Sequence, residues 1–241
     1  VNQGVAKIDE VLYATVTEAI NAAENGGTVQ LLALTIDEYV APWATDTQHT
    51  SEKSITIIGA ENFGTTMTGG LYLGYDDSQC REHTIVVKGI NFTGKGILVA
   101  SQQNVIVEGN KFTDITDYVA SSGSAGKNAI SIIGKDVIAT VKNNVITTTA
   151  SVGIDLRNIL TATVDGNTVT GTQHNSMQIQ NASANSSAEI ANNRFFDWGK
   201  SGEGRAMRIN QIVTADVNNN VMINENAPEE FVKITGHTTA K

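Results

Sequence analysis

The sequence contains one cysteine, Cys80, and only two prolines among 241 residues. A single thiol excludes an internal disulfide and a cysteine-rich metal site. Aromatic residues make up 5% of the chain, too few for a core of aromatic layers. Basic residues are outnumbered, 16 Lys and Arg against 25 Asp and Glu, for a net charge of −9. No basic patch stands out, so a nucleic-acid partner is not expected. No run of about 18 apolar residues exists, so membrane insertion by a helix is not expected either. The four histidines, at positions 49, 83, 174 and 237, have no metal-ligand spacing, and no resident metal or cofactor is expected. A glycine-rich phosphate loop and a nucleophile elbow are also missing. The chain starts at Val1 without Met or leader-like segment, so a mature fragment or a piece of a longer protein is expected. What is plentiful is Gly, Asn, Thr, Ile and Val, a mixture that favours many short strands joined by tight turns.

One phrase recurs: an apolar residue, two polar or small residues, Asn, any residue, and a second apolar residue. It occurs at Val107–Phe112, Val141–Ile146, Val164–Val169, Ile190–Phe195 and Val217–Met222, with a degenerate copy at Val87–Phe92 where Ile90 replaces the Asn. A second phrase precedes most copies, an apolar pair around one outward residue. It is seen at 97–99, 130–132, 154–156, 177–179, 207–209 and 232–234. Alternation of this kind marks short strands with one buried face. The spacing of the copies varies, so a constant frame carries loops of variable length. The sequence therefore predicts an all-β, right-handed parallel β-helix solenoid. Like positions stack coil on coil at 4.7–4.9 Å, and the hand follows from the rule for parallel crossovers. The recurrent Asn is expected at a corner, both left-handed in backbone and bonded through its amide to the Asn of the next coil.

Residues 1–36 read differently. Thr15-Val-Thr-Glu18 is a capping-box pattern, and Val16, Ala19, Ile20 and Ala23 follow helical spacing until Asn25-Gly26-Gly27. We expect an N-terminal cap (strand, helix, strand) over residues 1–36, with its helix near 16–24 as the lid. The β-helix coils then fill 37–241 in one domain. Segments 37–53 (with Pro42, Trp43 and His49), 74–83, 117–128, 180–187 and 197–205 are expected as side loops. The tail beyond Ile234 is expected to begin a linker or further coils.

The opening residues Ala6-Lys-Ile8, Tyr13-Ala-Thr15, Glu18-Ala-Ile20 and Gly27-Thr-Val-Gln-Leu-Leu32 resemble the first module of many large bacterial cell-surface proteins. The coils are similar to the right-handed β-helix repeats shared by pectate lyases, polygalacturonases, alginate epimerases and adhesins. The resemblance covers nearly the whole chain and implies the fold and a secreted or surface-attached location. Its matching motifs are structural, so it says little about activity.

In enzymes resembling this fold the working groove lies outside one sheet. The comparable line here is Leu98, Ser131, Asp155, Gln178, Arg208 and Lys233. Asp155, Gln178, Arg208 and Lys233, one coil apart, would span about 14 Å. Glycoside hydrolysis needs two carboxylates, and this line offers only Asp155, with Asp197, Glu203, Glu229 and Glu230 in nearby loops. A lyase needs a base, for which Arg208 or Lys233 is available, and often calcium. Asp155 alone is a poor calcium ligand set, and Asp76-Asp77 and Asp114 with Asp117 read as turn residues. Cys80 has no catalytic partner set. No catalytic residue is assigned. The ligand-binding candidates are Asp155, Arg157, His174, Gln178, Arg205, Arg208 and Lys233. The expected function is a non-catalytic bacterial surface module, monomeric, that recognises a host or environmental glycan or protein. A lyase or glycosidase acting on an acidic polysaccharide is the alternative, with calcium only in that case, and a structural stalk is the third.

Overall fold

The computed structural model describes residues 4–43, 53–74, 81–100, 102–117, 119, 126–225, 230–236 and 239–240. His49, Asp76, Asp77, Cys80, Glu229 and His237 lie outside the described residues.

The chain winds as a parallel β-helix with three faces. Face 1 comprises Leu71–Leu73, Ile97–Ala100, Met177–Gln180, Met207–Asn210 and Val232–Thr235. The opening halves of two long strands, Ile130–Lys142 and Ile154–Asp165, complete it. These two strands turn the corner into face 2 without interruption. Face 2 also holds Gly27–Leu31, Ile55–Ile58, Arg81–Lys88, Gln102–Glu108, Ser187–Ala191 and Thr214–Asn218. Face 3 runs from Thr35–Ile36 to Val221–Ile223, the far strand of an eight-stranded sheet. Each strand pairs in parallel with its counterpart in the next coil, for example Ile130 with Ile154 and Val141 with Val164. Among the described residues no helix is long and apolar enough to cross a membrane.

The alternation seen in the sequence places one side of every strand in the lumen. Ile97, Ile130, Ile154, Met177 and Met207 form a fully buried ladder on face 1. Val87, Val107, Val141, Val164 and Ile190 do the same on face 2, and Phe92, Phe112, Ile146, Val169 and Phe195 on face 3. Phe92 and Phe112 stack with ring centroids 5.0 Å apart. Burial of each such side chain stabilises by about 1.5–3 kcal/mol, so the repeated positions supply the fold's driving force.

From Lys88 onward the corner between faces 2 and 3 is two residues long in every coil, and from Asn110 onward its second residue is the recurrent Asn. Asn110, Asn144, Asn167 and Asn193 are fully buried. Each later rung takes an amide hydrogen bond from the Asn before it. Asn144 Oδ1 accepts from Asn110 N–H at 3.0 Å, Asn167 Oδ1 from Asn144 N–H at 3.0 Å, and Asn193 Oδ1 from Asn167 N–H at 3.0 Å. Asn220 ends the ladder, accepting from Asn193 N–H at 2.9 Å. The degenerate copy joins through its backbone, Ile90 N–H donating to Asn110 Oδ1 at 3.0 Å. One expectation is corrected here. The left-handed residue is not the ladder Asn but the one before it: Gly89, Gly109, Asn143, Gly166, Asn192 and Asn219, with φ between 51° and 71°. This division lets the first residue turn the chain while the second commits its amide to its neighbours. Left-handed residues recur at the other two bends, with Gly94, Asp114, Thr148, Gly171 and Asp197 in or just beyond the last residues of the face 3 strands, and Asn158, Asn181 and Gln211 where face 1 gives way to face 2.

The first edge of the stack is closed. Ala6–Ile8 pairs antiparallel with both Val11–Tyr13 and Gly27–Leu31, which ends the parallel series. The helix Val16–Ala22 carries the full capping box, Glu18 N–H donating to Thr15 Oγ1 at 3.0 Å and Thr15 N–H to the Glu18 carboxylate at 3.3 Å. Glu38 adds a second acceptor, taking Val16 N–H at 2.7 Å and Thr17 N–H at 3.0 Å, where the helix dipole favours a carboxylate. At the other end Lys53 Nζ donates to the carbonyls of Asn21 and Ala23, at 3.0 and 2.6 Å. Val16, Ala19 and Ile20 are buried in the same core as the coils. Two of the expected side loops contribute to that core as well. Trp43 is fully buried, Trp198 is 2% exposed, and Val40 bridges to Leu71.

Candidate functional site

The outward line of face 1 keeps the register expected from the triplets. Ser131 pairs with Asp155, Asp155 with Gln178, Gln178 with Arg208, and Arg208 with Lys233. Its exposure is not what alternation implies. Leu98, Ser131, Asp155 and Gln178 point outward yet are 3%, 1%, 0% and 6% exposed. The chain between faces 3 and 1 folds back over them. Leu98 packs with Val119, Ile133 and Tyr72 in a small apolar cluster outside the lumen. Asn128 Nδ2 donates to Ser131 Oγ and to Asp155 Oδ2, both at 3.1 Å.

Asp155 is therefore a buried structural carboxylate rather than an open contact. Arg157, two residues on along the same side of the strand, donates to its Oδ2 from Nε at 3.0 Å and from a terminal nitrogen at 2.7 Å. Gln178 Nε2 reaches its Oδ1 at 2.9 Å. A buried charge needs this much compensation, since unpaired burial of a carboxylate is strongly unfavourable. Both oxygens are engaged, and neither is left to hold a cation.

From Asp155 the hydrogen bonds run outward in a directed chain. The Gln178 amide, its nitrogen committed to Asp155, accepts at Oε1 from Asn175 Nδ2 at 3.0 Å. Asn175 Oδ1 in turn accepts Arg205 N–H at 2.9 Å. Asn128 has the same role in the preceding coil, its Oδ1 accepting Val152 N–H at 3.1 Å. Asn128, Val152, Asn175, Arg205 and Glu230 each stand two residues before a face 1 strand, so they form a second column beside the outward line.

Beside this column lies a cleft of about 290 Å³, lined by Val152, His174, Asn175, Gln178, Gln180, Glu203, Gly204, Arg205 and Arg208. Its wall is almost entirely polar. Arg208 is half-buried and has no hydrogen-bond or ion-pair partner among the described residues. Arg205 is tied to Glu230, with Nε and a terminal nitrogen 2.7 and 2.6 Å from the same carboxylate oxygen. That guanidinium, helped by Lys233 at 4.0 Å, holds the Glu230 carboxyl below the usual carboxylate range. His174 is exposed, with Nδ1 3.3 Å from Ser201 Oγ. The Ser201 hydroxyl donates to the Gln173 carbonyl at 2.6 Å. The same hydroxyl oxygen lies 3.4 Å from the Glu203 carbonyl.

Four of the residues singled out in the sequence, His174, Gln178, Arg205 and Arg208, meet in the cleft. Asp155 and Arg157 lie in the network behind it, and Lys233 sits one coil further along. Sequence reasoning missed Gln180 and Asn128. Gln180 is two residues from Gln178 on the same strand, so alternation alone would have found it. Asn128 shares its offset from the next strand with Asn175. Elsewhere, Asp114 is a left-handed corner residue and Asp117 faces Lys95 at 3.9 Å. Among the described residues no three His, Cys, Asp or Glu side chains are grouped to hold a metal. A larger groove of about 920 Å³ lies at the capped end, between the turn at Asp9 and Glu10 and the turn at Glu61–Phe63. Its Gln30 amide already donates to the carbonyls of Leu31, Ile58 and Gly59, and Lys7, Asp9, Glu10, Glu61 and Asn62 add to its polar lining.

No curated protein and no solved structure matches the chain. A family model described as the right handed beta helix region matches residues 69–240, a span that contains the whole cleft and most of the coils. With its stacked parallel coils and this match over more than half its length, the chain belongs to the right-handed β-helix family.

Proposed function

We propose that the chain is a non-catalytic recognition module, carried at the surface of a bacterium or secreted by it, whose face 1 cleft binds a glycan bearing carboxylates. The observation that carries this reading is the half-buried Arg208 guanidinium, without a partner among the described residues, beside amides that are already oriented by the buried Asp155. A guanidinium fork and fixed amides suit a carboxylate and ring hydroxyls. A protein partner would be expected to anchor an aromatic or apolar side chain in a dry pocket, and the described lining of this cleft is polar apart from Val152 and Gly204. Hydrolysis asks for two carboxylates across the scissile bond. Among the described residues Glu203 is the one carboxylate lining the cleft, and Asp155 is buried and neutralised by Arg157.

The test is calorimetric titration with uronate oligosaccharides and their neutral methyl esters. Arg208→Ala is expected to weaken uronate binding by about 10- to 100-fold, the loss of one charged hydrogen-bonded contact. Unchanged binding would remove the cleft from consideration. Release of unsaturated or reducing ends during the same incubation would establish the lyase or glycosidase reading instead.

A further inference from the structure

We propose that Glu230 is an internal competitor for the cleft, a carboxylate that occupies Arg205 until the ligand's own carboxylate displaces it. The inference rests on the carboxylate-binding reading of the cleft given above.

The geometry separates a fixed portion of Arg205 from a movable one. Its backbone is pinned, the N–H held by Asn175 Oδ1 at 2.9 Å. Arg205 lines the cleft, and its head group is held by Glu230, which stands one coil further at the equivalent position before the Val232–Thr235 strand. Both contacts from Arg205 fall on Oε2, at 2.7 and 2.6 Å, and Lys233 Nζ approaches that same oxygen at 4.0 Å. Oε1 has no partner among the described residues. Glu230 therefore presents Arg205 with the same chemical group that a uronate would bring.

The pair is also weak enough to exchange. The Glu230 side chain is 49% exposed and that of Arg205 is 25% exposed. Ion pairs of this exposure contribute little, because water and salt screen them. Arg208 is the contrasting case, with no internal anion to displace among the described residues. A carboxylate entering beside Arg208 would meet a second guanidinium only after turning Arg205 away from Glu230. The side-chain length of Arg allows that turn without moving the backbone that Asn175 holds. Arg208 would then set whether an anion binds, and Glu230 how tightly.

The experiment titrates trigalacturonate into the whole chain and into Glu230→Gln, Arg205→Ala, Arg208→Ala and the Glu230→Gln/Arg205→Ala pair, with the fully methyl-esterified trimer as control. Glu230→Gln is expected to bind the uronate about two- to five-fold more tightly than the parent, the exchange value of one exposed ion pair. The gain is expected to vanish in the double variant and to be missing for the ester. Equal or weaker binding by Glu230→Gln, with Arg208→Ala still impaired, overturns the competitor role and leaves the cleft reading standing. Binding that is unaffected by Arg208→Ala, or undetectable in parent and Glu230→Gln alike, overturns both.

Discussion

Removing the amide of Asn167 tests how much of the fold depends on the buried corner ladder. Asn167 is fully buried, and its Oδ1 accepts both Asn144 N–H and Asn144 Nδ2, each at 3.0 Å. Its Nδ2 donates to the Val141 carbonyl at 2.8 Å and to Asn193 Oδ1 at 3.0 Å. In Asn167→Ala two donors of Asn144, the Val141 carbonyl and Asn193 Oδ1 lose these partners in a place water does not reach, and the Asp165 carbonyl loses an amide at 3.2 Å. An orphaned buried polar group costs about 1–3 kcal/mol, and groups sharing one network do not add in full, so about 3–5 kcal/mol is expected in total. Asn220 makes the equivalent contacts, accepting Asn193 N–H and Nδ2 at 2.9 Å each, but it is half-buried at the last rung. Water can replace its amide, and Asn220→Ala is expected to cost about 1 kcal/mol. Urea unfolding followed by circular dichroism measures both, provided the slope is unchanged. Equal losses at the two positions, or less than about 1 kcal/mol at Asn167, would refute the argument that burial, rather than the hydrogen bond itself, gives the ladder its weight.

Other outcomes follow from the same geometry. Asp155→Ala strips Arg157, Gln178 and Asn128 of their shared acceptor and is expected to lower stability by about 2–4 kcal/mol in a thermal melt, with Arg157 turning to solvent. Asn143 has φ of 54°, so Asn143→Ala is expected to cost about 1 kcal/mol while Asn143→Gly stays within about 0.5 kcal/mol of the parent. Glu230 titrates below the ordinary carboxylate range because of Arg205. Its contribution is present above its unfolded value and fades as the pH falls through the folded one. NMR titration of the Glu230 carboxyl is expected to show an upward move in Arg205→Ala, and no move would contradict the pairing.

The periodic elements of this molecule were legible in its sequence because each coil repeats the same physical constraint. The inward residues of the triplets, the Asn rungs and the register from Ser131 to Lys233 are all set by stacking. They recur, and recurrence can be counted. The capping box of Thr15 and Glu18 was equally local. What escaped was aperiodic. Trp43 and Trp198 sit in segments without strand pattern, yet they fill core positions. The burial of Asp155 depends on Asn128, which belongs to a loop whose length is shared with no other coil. Two of the three left-handed corners were missed as well, because Asp, Asn, Thr and Gln fill them alongside Gly, and only a backbone angle unites those residues.

The three corners also differ in what they can absorb over evolutionary time. Between faces 2 and 3 the connection stays at two residues through the Asn coils, such as 143–144 and 166–167. An insertion there would break both the left-handed turn and the rung that follows. Between faces 3 and 1 the connection ranges from 95–96 to 116–129. Doubling the length of such a loop costs only about 0.6 kcal/mol in closure entropy. That corner supplies His174, Asn175, Glu203, Gly204 and Arg205 to the cleft. Descendants of this chain can therefore lengthen, shorten or exchange the segments that line the cleft while the rungs behind them stay in place. Specificity and foldability are inherited on separate sides of the same coil.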